Sequence, residues 1–196
     1  MPRTKRILQS EYPYHITLRA IQRHDFNVNI ENLWSFSSDL LLFCSYAFRL
    51  EIHSFVLMNN HYHMLVRTPQ ANLNKFMNYF NRELSREITY KSGQINQKFG
   101  ARYHATIVSD NRYYHTVYKY IYRNPVEANI CERVQDYKFS SLNFLTYREP
   151  YRFPIFDTYF ERIEDHLNNL AWLNYGYEQE EKIKIRKALK KTYFEL

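Results

Sequence analysis

The chain reads as an α+β protein, an antiparallel sheet with helices packed on one face. Three observations give that class. The hydrophobic period switches along the chain between two and 3.6 residues, in the order βαββαβα. Two apolar runs, Glu51–Met58 and His61–Arg67, flank the pair Asn59-Asn60, which suits a tight type I′ turn because Asn tolerates positive φ. Leu73, Phe76, Met77, Phe80, Leu84 and Ile88 fall at helical spacing and define an amphipathic helix.

Taken in order, Tyr14 to Ala20 alternates as a strand, and the apolar stretch from about Asn32 to Phe48 reads as a largely buried helix. The Glu51–Arg67 hairpin follows. The helix from Leu73 to Ile88 carries Asn74, Lys75, Asn78, Asn81, Arg82 and Arg86 on its polar face. Gly93 and Gly100 bracket a loop, and Ala101 to Val108 is a strand. Asp110 caps a helix running to Asn124, which Pro125 is expected to stop because its ring disfavours helical geometry just before it. Pro150 and Pro154 mark the end of the core, dividing the chain into a main domain, 1–148, and a helical extension, 149–196. Within that extension Glu178 to Lys191 reads as a charged helix.

The residues that carry chemistry lie on the hairpin and on the capped helix. Strand side chains alternate faces, so His61 and His63 share one face and Tyr62 takes the other. Two imidazoles at i and i+2 can grip one divalent cation. On the helix, Tyr120 and Asn124 lie one turn apart on one face, a phenol as possible nucleophile and an amide oxygen as possible ligand. Periodicity alone does not select Tyr120 among Tyr113, Tyr114, Tyr118, Tyr120 and Tyr122. Tyr120 and Tyr122 stand roughly 200° apart around a helix, so they do not act as a pair.

With 27 Lys and Arg against 20 Asp and Glu, the formal net charge is +7, which suits a polyanionic partner or an acidic surface. The 19 Tyr and 14 Phe offer rings on which unpaired bases stack. Cys44 and Cys131 form no framework and no zinc-type spacing, as expected of a reducing compartment. Met1–Arg6 is basic without an apolar run behind it, so no signal peptide is expected, and Leu40–Cys44 is far short of the ~20 residues of a membrane span. A soluble cytoplasmic protein follows, with no membrane partner.

Five stretches, Tyr14-His15-Ile16-Thr17, Leu57 to Val66, Asn81-Arg82, Ala101-Arg102-Tyr103 and Tyr137 to Ser141, together with Tyr-Ile-Tyr-Arg-Asn-Pro-Val from Tyr120, occur in a characteristic order. Over about residues 10 to 145 the chain resembles the single-tyrosine HUH transposases. Within them it is closest to the REP-associated tyrosine transposases, a branch related to the insertion-sequence-200-like enzymes. The resemblance implies a ferredoxin-like fold, with His61 and His63 as metal ligands, Asn124 as the third ligand and Tyr120 as the nucleophile. Asn124 stands where the insertion-sequence branch usually has Gln and the REP-associated branch has Asn. The implied cofactor is Mg²⁺ or Mn²⁺, a Lewis acid for the scissile phosphate. The implied partner is single-stranded or hairpin DNA, cut through a 5′-phosphotyrosine that preserves the phosphodiester energy for rejoining. Monomeric and homodimeric relatives both exist.

From position and charge, Arg19, Arg23, Lys75, Arg82, Arg86 and Arg102 are candidate DNA contacts. Two other readings stay open at this point. One is a non-catalytic nucleic-acid binder of ferredoxin-like fold, although no RNP1-type Lys/Arg-Gly-aromatic run is present. The other is a rolling-circle initiator or relaxase-type nickase, which shares the His-x-His chemistry.

Overall fold

A computed structural model of the protein describes residues 6–93, 98–146, 148–156 and 166–196. Four strands, β1 (Tyr14–Arg19), β2 (Glu51–Leu57), β3 (His61–Arg67) and β4 (His104–Ile107), form one antiparallel sheet in the order β2-β3-β1-β4. Between them run α1 (Ile30–Phe48) and α2 (Leu73–Ser92), and α3 (Asn111–Glu127) follows β4. This is the expected βαββαβα order and the ferredoxin-like arrangement. Shorter helices follow: α4 (Leu142–Leu145), α5 (His166–Asn174) and α6 (Gln179–Ala188). Among the described residues no helix is long and apolar enough to cross a membrane.

Helices cover both faces of the sheet, not one as the element order suggested. Tyr14, Ile16 and Leu18 of β1 and Tyr62, Met64 and Val66 of β3 point into a core shared with α1 and α2. The alternate residues face the other way. There Val56 and Leu65 pack against Val117, Tyr118, Ile121 and Tyr122 of α3, together with Leu173, Ile185, Leu189 and Phe194 from the end of the chain. Strand alternation thus feeds two cores, and the polar side chains of β1 and β3 are sandwiched beneath α3. All six predicted apolar positions of α2 are fully buried. Phe80 touches Phe55, Tyr62 and Phe76 edge-on or tilted. Phe80→Ala is expected to destabilise the fold by about 3–5 kcal/mol in urea unfolding, because it leaves a cavity in a rigid aromatic cluster.

Three local details depart from the sequence reading. The hairpin forms, but neither Asn59 nor Asn60 has positive φ. The loop is held from outside instead: Phe26 N–H donates to Asn59 O and Ala20 N–H to Asn60 O, each at 2.8 Å, and Asn60 Nδ2 donates to Arg23 O at 2.7 Å. The strand expected from Ala101 is confined to His104–Ile107. Pro125 lies inside α3, which continues to Glu127. The proline leaves Ile121 O without its usual N–H partner, and Asn124 Nδ2 reaches that oxygen at 3.5 Å while bonding Tyr120 O at 2.7 Å. The expected cap is present, with Asp110 accepting from Arg112 N–H at 2.8 Å. Of the loop between Gly93 and Gly100, residues 94–97 lie outside the described residues, as do 157–165 of the C-terminal extension.

The end of the chain folds back onto β4 and α3. Ile107 N–H donates to Thr192 O at 2.8 Å and Phe194 N–H to Ile107 O at 2.9 Å, beside β4. On α3, Lys119 Nζ stands 5.2, 5.4 and 5.0 Å from the ring centroids of Trp172, Tyr175 and Tyr177. Arg123, buried, donates to Leu173 O at 3.2 Å and Asn174 O at 2.7 Å, and Glu127 is paired with both Arg123 and Lys182. One flank of α3 is therefore gripped by cation–π and charge-assisted contacts.

Candidate active site

His61 and His63 share the sheet face beneath α3, and both are nearly buried. Their ring centroids are 5.0 Å apart with planes at 81°. Tyr62 points to the opposite core, fully buried, with its hydroxyl donating to Asn81 Oδ1 at 2.6 Å.

The hydrogen-bond partners bear on which ring nitrogens are free. Asn60 uses its amide nitrogen on Arg23 O, so its Oδ1, 2.6 Å from His61 Nδ1, accepts the His61 N–H. That leaves His61 Nε2 as a bare lone pair. His63 Nδ1 lies 3.0 Å from His15 Nε2, while His63 Nε2 is buried without a hydrogen-bond partner. A proton on His63 Nδ1, donated to His15, makes Nε2 the second bare lone pair. Outer partners that fix the tautomer and ring angle in this way are what metal-binding imidazoles require. Burial pushes the His61 imidazole down to about 3, helped by Arg19, and holds His63 well below its usual range, helped by His61, His15 and Arg19. Both rings are neutral at pH 7, the form that binds metal.

Asn124 lies on the wall of the same cavity as His61. Its Nδ2 is committed to a backbone carbonyl, since only a donor can make that bond, so Oδ1 is the polar atom left over. Asn124 and His61 line one cavity of about 310 Å³ with Arg19, Asp25, Glu127 and Arg186. Among the described residues no group of three His, Cys, Asp or Glu is placed to hold a metal. Two imidazoles and one amide fit a divalent cation with open positions for oxygen ligands.

Tyr120 of the helix meets His63, one of the two histidines of β3. Its ring packs edge-on against His63 at 5.7 Å and against His15 at 6.1 Å. Tyr113, the main competitor on the same stripe, packs against Phe194 instead. Tyr114 bonds His53, Tyr118 is buried, and Tyr122 bonds Ser141 Oγ. Burial raises the Tyr120 phenol above its ordinary value, and Arg186 and Arg19 oppose that shift, Arg186 through a side-chain hydrogen bond.

The predicted DNA contacts divide. Arg19 pairs in register with His61 and lines the site cavity, and Arg23 follows in the adjoining loop. Lys75, Arg82 and Arg86 lie on α2, across the sheet from α3; Arg82 and Arg86 both pair with Glu83. Arg82 and Arg102 line a separate cavity of about 290 Å³ with Arg6. Sequence reasoning gave no role to His15 or Arg186. His15 was detectable, because it alternates with the core residues Tyr14 and Ile16. Arg186 had no local signal, since its place depends on the chain folding back.

Known proteins are consistent with this architecture. A family model described as "Transposase IS200 like" matches residues 8–124, more than half of the chain. The REP-associated tyrosine transposase solved with a REP hairpin superposes at a TM-score of 0.61 with 19% identity, covering 84% of this chain and 100% of that one. A putative transposase from Deinococcus radiodurans aligns at a TM-score of 0.42 and 16% identity, over 62% of this chain and 95% of its own. No curated protein sequence matches. With its sheet order, helix placement and matched span taken together, the chain belongs to the IS200-like transposase family.

Proposed function

We propose that the protein is a metal-dependent single-strand DNA endonuclease and strand transferase of the REP-associated kind, cutting beside DNA hairpins through a 5′-phosphotyrosine on Tyr120. The observations that support this reading are that Tyr120 packs edge-on against His63, that the His63 and His61 rings lie 5.0 Å apart, and that His61 and Asn124 line one cavity. His61, His63 and Asn124 would hold Mg²⁺ or Mn²⁺, which supplies Lewis-acid stabilisation of charge on the scissile phosphate. With the proton on Nδ1 of each ring, Asn60 would accept from His61 and His15 from His63, leaving both Nε2 atoms for the metal. Arg19 holds positive charge at the rim of the cavity. Tyr120 attacks phosphorus in line, the P–O3′ bond breaks, and a free 3′-OH leaves; a second 3′-OH reverses the step and joins new ends. A tyrosine anchored between a sheet and a helix is accessible to a flexible single strand more readily than to a stiff duplex. The relative solved with a REP hairpin supports a hairpin as the recognition element.

Mass spectrometry of the protein after incubation with a hairpin-tailed oligonucleotide and Mn²⁺ tests this reading. A covalent adduct on the Tyr120 peptide, carrying the DNA 5′ end, is the expected result; an intact oligonucleotide, or cleavage without adduct, would overturn it. Binding should favour hairpin or single-stranded DNA over plain duplex. If all six predicted basic contacts engage phosphates, affinity should fall roughly 300-fold between about 50 and about 200 mM salt, in fluorescence anisotropy. Salt-insensitive binding would count against a phosphate-tracking surface.

A further inference from the structure

We propose that Arg186, on the C-terminal helix α6, is a phosphate ligand of the Tyr120 site, forming with Arg19 a two-guanidinium clamp around the phosphodiester under attack. This rests on the reading of Tyr120 as nucleophile. Four elements contribute to one cavity: Arg19 from the end of β1, His61 from β3, Asn124 from α3 and Arg186 from α6. Arg186 lines the same cavity as His61 and Asn124, and its positive charge favours ionisation of the Tyr120 phenol. The acidic group of the cavity nearest α6 in the chain fold, Glu127, is already taken by Arg123 and Lys182. Among the described residues Arg186 itself forms no ion pair, and Asp25 is the remaining carboxylate of the lining.

An arginine in this position can meet the phosphate directly. Once a phosphodiester enters, its planar fork offers N–H donors to the non-bridging oxygens, where charge accumulates in the transition state. In the step itself the Tyr120 oxygen bonds to phosphorus and the P–O3′ bond breaks. The phenol proton passes to solvent, and the departing 3′-oxygen takes one from solvent. Arg186 stays protonated throughout and moves no proton.

The test uses the full chain with Arg186→Ala and Arg186→Lys. It compares single-turnover adduct formation at saturating hairpin oligonucleotide in Mn²⁺, oligonucleotide affinity, and thermal melting. Arg186→Ala should slow adduct formation by about 100-fold, with affinity changed by less than about threefold, and Arg186→Lys should recover about tenfold of the loss. Melting should match the wild type, because the Arg186 side chain is exposed. An Arg186→Ala rate within about threefold of an active wild type overturns the clamp and leaves the nucleophile reading intact. A rate loss that follows a lowered melting temperature and is not recovered by Lys overturns it too, in favour of a packing role. A wild type that forms no adduct removes the nucleophile reading, and this proposal falls with it.

Discussion

Tyr120→Phe is expected to eliminate the covalent protein–DNA adduct, lowering its formation by at least about a thousandfold. The substitution removes one oxygen and no volume. The ring can keep its edge-on contacts with His63 and His15, so the histidine platform should be unchanged. Hairpin affinity should persist, because phosphate and base contacts set it. Mass spectrometry of the trapped complex distinguishes the outcomes directly. A 5′-linked adduct on the Phe variant would move the nucleophile to another tyrosine, with Tyr113 first in line by its stripe on α3.

Replacing both His61 and His63 by Ala should have an effect of similar size, by a different route. Cleavage in Mn²⁺ should drop by about a thousandfold or more, since the donor set loses two of its three ligands. Hairpin binding should stay within severalfold of wild type, and isothermal titration should show loss of the divalent-cation site. Some instability is expected as well, because both rings are nearly buried and His63 bonds His15. Comparing melting curves with cleavage rates separates the two effects. Full cleavage by the double variant would remove the metal assignment.

Much of this architecture is legible in the sequence because it depends on period and local chemistry. The α2 stripe from Leu73 to Ile88, the Asp110 cap and the shared face of His61 and His63 all follow from neighbours a few residues apart. Most of the features not legible in the sequence depend on distant chain, and one on a side chain's exact reach. Asn59-Asn60 needs no positive φ because Ala20, Arg23 and Phe26 supply the hydrogen bonds that hold the loop. Pro125 does not end α3 because the Asn124 side chain answers part of the bonding it disrupts, and the helix closes at Ala128. The second face of the sheet is covered by α3 and by the end of the chain, and a strand's alternation says only that each face is partnered, not by what. Among five helix tyrosines the choice of Tyr120 is a matter of tertiary contact, which periodicity does not encode.

The grip of residues 172–182 on α3 has a consequence for the order in which the protein becomes an enzyme. His61 and His63 emerge early in synthesis, and their hairpin can pair with β1 as soon as the following helices are made. The tyrosine helix comes next, with Lys119 and Arg123 as cations on one flank awaiting their aromatic rings and carbonyls. At about 5 to 20 residues per second, roughly 3 to 12 seconds separate Asn124 from Arg186 on the ribosome. During that interval the nascent chain carries its histidines and its tyrosine without the segment that fastens them together. If Tyr120 is the nucleophile proposed above, a prematurely terminated product would keep the sheet and the tyrosine but lack the segment that fastens the tyrosine helix.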